Sequence, residues 1–150
     1  MAVLRDQPYN RFNFLVDLGD GNSDGPSAGF AEIGALAMRV DVTEYRNGNS
    51  RVPEPMKITG LAHVLDVTLR RGLIGSLALY QWMEQVRNGD PNALRTVTIR
   101  LQNEDRSAVV QMWKLRRARI VRYASGPLDA LGGALAMEEM VLAYEGLEIE

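Results

Sequence analysis

Apolar and polar residues alternate along much of this chain with a period of two, which is typical of strands that bury one face. The alternation is clear in four segments, at 12–18, 38–46, 65–70 and 96–101. A shorter strand is expected around 28–33. A longer one over 108–123 changes its pattern near 114–117, which predicts a bulge or a bend. The pattern therefore predicts a mainly β protein.

A segment in the middle of the chain has the period of an α-helix instead. Gly72 and Gly75 end the preceding strand, Ser76 is a suitable N-cap, and Asn-Gly-Asp-Pro at 88–91 stops the helix. Four large apolar residues share one helical face: Leu79, Trp82, Met83 and Val86. We expect a helix over about 76–88 that packs on the sheet through these four side chains.

The segment at 134–146 gives conflicting signals. It is rich in Ala, Leu, Met and Glu, and these residue types favour a helix. Met137, Met140, Val141 and Tyr144 fit a helical stripe, but the segment also alternates weakly, as a strand does. Local propensity alone predicts a helix here.

Composition narrows the class of protein. The 150 residues suit a single domain, 1–150, and the apolar content of 46% suits a soluble globular fold. The net charge is −2, so the chain as a whole does not indicate nucleic-acid binding. The absence of cysteine excludes disulfides and thiolate catalysis. Because Met1–Asn10 has no apolar signal and no apolar run reaches membrane length, we expect a chain made in the cytoplasm without membrane insertion.

Candidate chemistry is sparse. Residues 20–25 resemble the start of an EF-hand loop, but the position of the required Glu holds Ala31, so a solvated loop over 19–27 is favoured. His63 is the only histidine and has no motif neighbours. Glu138 and Glu139 are adjacent, so on a strand they face opposite sides and do not form a catalytic carboxylate pair. We therefore expect no catalytic site, no cofactor and no metal.

A basic run stands out on this acidic chain. Its five cations are Lys114, Arg116, Arg117, Arg119 and Arg122. They indicate either contact with a polyanion or, as the favoured interpretation, ion pairs with a neighbouring subunit or a solvated face, since no aromatic residues are interleaved for base stacking. On an unbroken strand Arg117 and Arg119 share one face, and Arg116 and Arg122 take the other. We expect one of these sets to pair with carboxylates of a neighbouring subunit.

Several pieces of the chain, in order and at matching spacing, resemble the tail tube protein family of contractile bacteriophages and related injection systems, whose fold is shared with the type VI secretion tube. The pieces are Phe-Asn-Phe-Leu-Val at 12–16, Gly-Phe-Ala-Glu-Ile-Gly-Ala-Leu at 29–36, Glu-Tyr-Arg at 44–46, Val-Thr-Leu-Arg-Arg-Gly-Leu at 67–73, Trp82, Trp113, Ser-Gly-Pro at 125–127 and Glu-Glu-Met-Val-Leu-Ala-Tyr-Glu-Gly-Leu at 138–147. Together they span 12–147.

The resemblance implies an antiparallel β-sandwich or barrel flanked by one helix, with 134–145 as a strand despite its helical propensity. It also implies homohexameric rings that stack into a hollow tube, and a long arm over about 45–64 that reaches the neighbouring ring. The arm residues expected at this contact are Tyr45, Arg46, Asn47, Arg51, Lys57 and His63. Because the arm is rich in Gly, Asn, Pro and Ser, we expect it to become ordered only on contact.

The implied partners are other copies of the chain, the tail sheath, the baseplate hub, and tape-measure or tube-terminator proteins, with DNA or an effector protein as cargo in the lumen. The implied location is a virion tail or an injection particle. An alternative of a different class stays open at this point. It is a monomeric β-barrel binding module that contacts a polyanion through 114–122.

Overall fold

Nine strands and one α-helix are present in residues 2–25 and 28–150, which are the residues that the computed structural model describes. The strands are β1 Phe14–Asp17, β2 Glu32–Ile33, β3 Met38–Tyr45, β4 Met56–Val64, β5 Val67–Gly72, β6 Arg95–Gln102, β7 Val109–Ser125, β8 Met137–Ala143 and β9 Gly146–Ile149. The helix α1 is Ala78–Arg87, and a short 3-10 turn follows at Pro91–Ala93. The expectation of a mainly β fold with one helix is confirmed.

Seven of these strands pair in the order β1-β6-β7-β8-β5-β2, with β9 also on β7, and every pairing is antiparallel. The 17-residue strand β7 belongs to two layers. Its first part pairs with β6 and β9, and its second part pairs with β8. The layers pack as a sandwich and do not close into a barrel, which decides between the two architectures expected from the sequence.

Two irregularities let β7 turn from one layer into the other. Arg117 has a positive φ of 51°, and the register of β7 shifts against β6 at this point. Leu115 and Ala118 are both buried, so two consecutive residues between them face outward. A second shift against β8 lies between Ile120 and Arg122. The predicted bulge near 114–117 is confirmed, and the strict alternation that assigned the arginines to two faces does not hold.

The helix covers one end of the core. Leu79 and Trp82 are fully buried, and the Trp82 Nε1 donates to the Ala93 carbonyl oxygen at 2.7 Å. The Arg95 guanidinium lies 4.5 Å from the centre of the Trp82 ring. Burial lowers the pKa of Arg95 from its usual value. The indole is thus held by packing, by a hydrogen bond and by a cation over its face.

The helix boundaries differ slightly from the prediction. The N-cap position is Leu77, and the Ser76 hydroxyl accepts a hydrogen bond from the Ala78 N–H at 3.3 Å from just outside the helix. The C-terminus ends as expected, with Asn88 as the C-cap and Gly89 at a φ of 77°. Partly buried Met83 and Val86 pack against the core from the same face.

The segment with conflicting signals is a strand. In β8, Glu138, Met140 and Leu142 face the interior, while the residues between them are less buried. Pairing on both sides, with β5 and with β7, satisfies the backbone of β8 and outweighs the helical propensity of its residues. The strand implied by the family resemblance is confirmed.

Two other boundaries need correction. The short strand expected at 28–33 is only Glu32–Ile33, since Ala28 to Ala31 lead into it without pairing as a strand. Leu65 lies in the turn before β5 and is exposed. In the loop expected at 19–27, the structure describes residues up to Gly25, and Pro26 and Ser27 lie outside the described residues.

No helix in the described part of the chain is long and apolar enough to cross a bilayer.

Candidate assembly surfaces

Strands β3 and β4 form a two-stranded sheet separate from the sandwich, and we call residues 38–64 the hairpin. Within the described residues, neither strand pairs with any strand of the sandwich. Eight of its large apolar side chains are at least half exposed: Met38, Val40, Val42, Tyr45, Val52, Met56, Ile58 and Leu61. Val64, at the root, is partly buried against the core. A protruding element with this much uncovered apolar surface is typical of a surface that is buried by another molecule.

The hairpin corrects two expectations. The arm expected at about 45–64 was predicted to become ordered only on contact, but nine of its residues form strand β4, paired with β3 in the same chain. Conversely, the alternating residues of β3 indicated a strand, and β3 is a strand, but it is not covered by the sandwich. The sequence signal for β4 is weak because a register shift opposite Asp41, at Gly60 and Leu61, interrupts its alternation.

The six predicted arm residues all lie on the hairpin, at two places. Tyr45 pairs with Met56 where the strands end, and the Arg46 side chain donates to the carbonyl oxygens of Ser50 and Val52. The Asn47 carbonyl oxygen accepts from the Ser50 N–H. These contacts shape the tip, where Arg51 is exposed, and Lys57 stands opposite Glu44 just below it.

His63 lies near the root of the hairpin instead. It pairs with Arg39 across the ladder, and its Nε2 is 2.8 Å from the Asp41 Oδ2. Arg39 also contacts Asp41, at 3.5 Å. The single histidine therefore ties the two strands together beside the register shift.

A second exposed apolar surface lies at the far end of β5, where sequence reasoning did not look. It consists of six residues that we call the apolar cap: Leu73, Ile74, Leu77, Leu128, Leu131 and Leu135. The Leu73 N–H donates to the Ala136 carbonyl oxygen at 2.9 Å, which holds the β5–α1 turn against the loop at 126–136. The three leucines of that loop are more than four-fifths exposed. The sign of this surface in the sequence is the presence of leucines in a loop that is otherwise rich in Gly and Ala.

The predicted ion-pairing arginines all have carboxylate partners in their own chain. Arg117 and Arg119 both contact Glu145, the latter at 3.7 Å. The other pairs join Arg116 to Glu148 at 3.4 Å, Arg122 to Glu139 at 2.5 Å and Lys114 to Glu150 at 3.2 Å. Pairing with a neighbouring subunit stays a prediction, and the structure adds an intrachain alternative that the sequence reasoning did not weigh. The basic run is therefore largely neutralised within the subunit.

A buried charged group lies between β5 and β8. Arg71 and Glu138 are almost fully buried, the Arg71 Nε donates to the Glu138 Oε1, and the Tyr123 hydroxyl donates to the Glu138 Oε2 at 2.7 Å. The Phe30 ring centre lies 5.6 Å from the Arg71 guanidinium. Burial, and then the bond to Glu138, raise the pKa of Tyr123 above its usual value. This group is buried inside the sandwich, so it is suited to fixing the register of the two strands.

Two polar sites at the surface are satisfied internally. In the loop after β1, the Asp17, Asp20 and Asn22 side chains accept backbone N–H bonds, and in the described residues no three His, Asp or Glu side chains are placed to hold a metal. At the N-terminal segment, Arg5 donates two bonds to Glu104, at 2.5 and 2.9 Å. These bonds lower the pKa of Glu104 to about 2.

Comparison with known proteins identifies the family. The chain matches the description "T4-like virus tail tube protein gp19" over residues 10–148. The chain belongs to this tail tube protein family. It is a structural tube subunit, and the resemblance found in the sequence is confirmed. A search of curated protein sequences found no match.

Solved structures agree with this tail tube assignment in their fold. A chain of the PVC sheath–tube complex, an extracellular contractile injection system in the extended state, has a TM-score of 0.81 at 24% identity, over 95% of this chain and 91% of that one. A chain of the anti-feeding prophage tube-terminating cap has 0.83 at 24%, over 100% and 95%. Hcp1 from Flavobacterium johnsoniae has 0.54 at 13%, over 91% and 93%. At these identities the likeness shows the fold alone.

Proposed function

We propose that this tail tube protein is the repeating subunit of the inner tube of a contractile tail or injection particle, in which homohexameric rings stack into a hollow conduit. The observation that carries this proposal is the hairpin. A tube subunit needs surfaces that its own chain leaves uncovered, and the hairpin presents apolar side chains on a protruding two-stranded sheet.

The role of the hairpin is to join one ring to the next. A two-stranded hairpin gains little stability by itself, so its apolar residues contribute mainly when another surface covers them. The tip residues Tyr45, Arg46, Asn47, Arg51 and Lys57 make the contact, and His63 holds the root. Strand edges of the sandwich pair between neighbours within a ring, which leaves no free edge exposed.

The lumen carries DNA or an effector protein, and the sheath, the baseplate hub and a tape-measure or tube-terminator protein contact the outside and the ends. The structures with the same fold support these partners, since they come from a sheath–tube complex and from a tube-terminating cap. The protein acts mechanically and not as an enzyme. In support of this, its single histidine is bound to Asp41 at the root of the hairpin.

The alternative of a monomeric polyanion-binding module is disfavoured by charge. Each cation of the run 114–122 contacts a carboxylate of the same chain, so a phosphate would have to displace Glu139, Glu145, Glu148 or Glu150. Such binding loses much of the electrostatic gain that phosphate contacts normally supply.

Deletion of the hairpin tip tests the proposed function. A variant lacking residues 47–55 keeps every strand of the sandwich, so we expect a folded subunit that forms no tubes. Circular dichroism and thermal unfolding report folding, and electron microscopy reports tubes. A matched control replaces the same nine positions with Gly and Ser, which preserves length and removes the side chains. Full-length tubes from the deletion variant would contradict the proposal.

A further inference from the structure

The hairpin and the apolar cap lie at opposite ends of the same strand. The root of the hairpin is closed by a bond from the Leu65 N–H to the Ala37 carbonyl oxygen, two residues before β5 begins at Val67. The other end of β5, Gly72, pairs with Met137 and leads directly into the cap. At about 3.3 Å per residue, the two ends of β5 are about 17 Å apart. One chain thus presents a projecting apolar element at one end of this layer and an apolar platform at the other.

The cap is exposed in a way that the sandwich does not explain. Leu128, Leu131 and Leu135 are 82%, 98% and 85% exposed, whereas the other end of the adjoining strand β8 is closed by the turn into β9. Asp129 is the only charged residue in 126–136. A nearly uncharged platform with three protruding leucines is stabilised by covering it with apolar surface.

The hairpin has the matching chemistry. Thr43 pairs with Ile58 and Tyr45 pairs with Met56, so Ile58, Tyr45 and Met56 share one side of its outer half. Arg46 and Arg51 at the tip are cations that suit the single carboxylate of the cap, Asp129. With eight residues in β3, the paired part of the hairpin is about 23 Å long and reaches well beyond its own root.

We propose that the apolar cap is the receptor for the hairpin of a second copy of this chain, in the next ring along the tube. The proposal rests on the proposed function, because it names the surface that the hairpin binds there. A contact between two different surfaces of identical chains closes into a ring only when rotation alone relates the copies. It repeats, and with translation it builds a filament. The placement of the two surfaces at opposite ends of β5 favours a second copy over an unrelated partner, since each copy then offers one hairpin and one platform to its neighbours.

Cross-linking tests the contact directly, because the chain has no native cysteine. We would introduce Ile58→Cys together with Leu128→Cys, Leu131→Cys or Leu135→Cys in turn, assemble tubes, and add a short bifunctional maleimide. We expect a ladder of covalent multimers in denaturing gels for at least one of the three. The matched control is Ile58→Cys with Leu4→Cys, because Leu4 is 98% exposed, as Leu131 is, but lies outside the cap. This control should give no ladder.

Substitution tests the energy of the contact. The triple variant Leu128→Ser/Leu131→Ser/Leu135→Ser should fold normally, since all three side chains are exposed in the subunit, and should raise the critical concentration for tubes at least about tenfold. Leu4→Ser should leave that concentration unchanged. Thermal unfolding of the subunit separates loss of assembly from loss of folding.

The outcomes separate this inference from the proposed function. If the 47–55 deletion abolishes tubes while the triple variant assembles like wild type, the hairpin joins rings and the cap is not its receptor. If the triple variant loses tubes but Ile58→Cys cross-links to no cap position, another surface covers the cap and the inference is wrong. If the deletion variant forms normal tubes, the proposed role of the hairpin fails and the inference falls with it.

Discussion

Strands β5 and β3 have similar sequence patterns, but the apolar side chains of β5 are buried and those of β3 are exposed. In β5, Val67 and Leu69 are 1% and 0% exposed, while in β3 the alternating Val40 and Val42 are 50% and 54% exposed. Both stretches predict a strand from period-two alternation, and both are strands. Alternation therefore indicates a strand, but it does not indicate whether the apolar face is covered by the same domain or by something outside it. For β5 the cover is the core of the sandwich, to which Val67 and Leu69 belong, whereas for β3 it is not in the sandwich.

The residues of the molecule fall into two groups, which differ in whether their side chains are buried within the subunit. Side chains in the sandwich contribute to the free energy of unfolding of the subunit, because they are buried within it. Most side chains of the hairpin contribute little to that quantity, because they stay exposed, and under the proposed function they act on assembly instead. Substitutions therefore sort the residues into these two groups.

The largest expected effect on folding is at Trp82. Trp82→Ala removes a fully buried indole and its bond to the Ala93 carbonyl oxygen, and should lower the free energy of unfolding by about 3–5 kcal/mol. Tyr80→Ala on the same helix is the matched control, since Tyr80 is about half exposed, and should cost about 1 kcal/mol or less. Urea unfolding measures both. A Trp82→Ala loss as small as that of the control would show that the helix does not hold the core.

A smaller effect is expected at the buried charge. Glu138→Gln keeps the shape of the side chain and leaves the Arg71 guanidinium buried without its carboxylate, so we expect a loss of about 3 kcal/mol. Its neighbour Glu139 faces outward and pairs with Arg70 and Arg122, and Glu139→Gln should cost about 1 kcal/mol or less. Equal losses in the two variants, measured in urea, would mean that burial of the pair does not matter.

The smallest effect on folding is expected from the exposed arginines. For these residues, effects on folding and on assembly can be separated most clearly. Arg117→Gln/Arg119→Gln and Arg116→Gln/Arg122→Gln each remove exposed pairs worth about 0–1 kcal/mol apiece. If one set also pairs with a neighbouring subunit, that double variant should lose the salt dependence of tube assembly that wild type shows. Tubes would be quantified across a salt series. Two double variants that assemble like wild type at every salt concentration would assign these arginines to the subunit alone.

The sequence predicted best those elements whose cover lies in the same chain. The four residues of α1 and the alternation of β5 report burial that the sandwich supplies, so local pattern and structure agree there. In β6 the agreement is partial, because Thr98 is buried as well as Val97 and Ile99. Strand β8 required the family resemblance, because its Ala, Leu, Met and Glu residues favour a helix and only pairing with β5 and β7 decides against it. The basic run was recognised, but its carboxylate partners depend on the register of β7 with β8 and β9, which no local pattern contains.

The hairpin and the apolar cap were harder to predict from the sequence, for the same physical reason. Strand β4 lacks a clean alternation, since Gly60 and Leu61 interrupt its register and its residues 56–62 are exposed on both faces. The leucines of 126–136 have the i, i+3, i+7 spacing of a helical face, but Pro127, Gly132 and Gly133 interrupt the segment and it forms no helix, so the spacing does not report burial. Sequence patterns record burial within a fold most clearly, and surfaces that are buried only between copies leave a weaker trace.

The long strand β7 has a mechanical consequence. Because the same 17 residues belong to both layers, the layers are joined by a covalent backbone as well as by side-chain packing. The layers cannot slide apart under load, as two sheets joined only through flexible loops can. We expect any flexing between them to occur at Arg117 and between Ile120 and Arg122, where the ladder is interrupted. We expect a subunit built in this way to be stiff within each layer and to bend mainly along this interrupted part of β7.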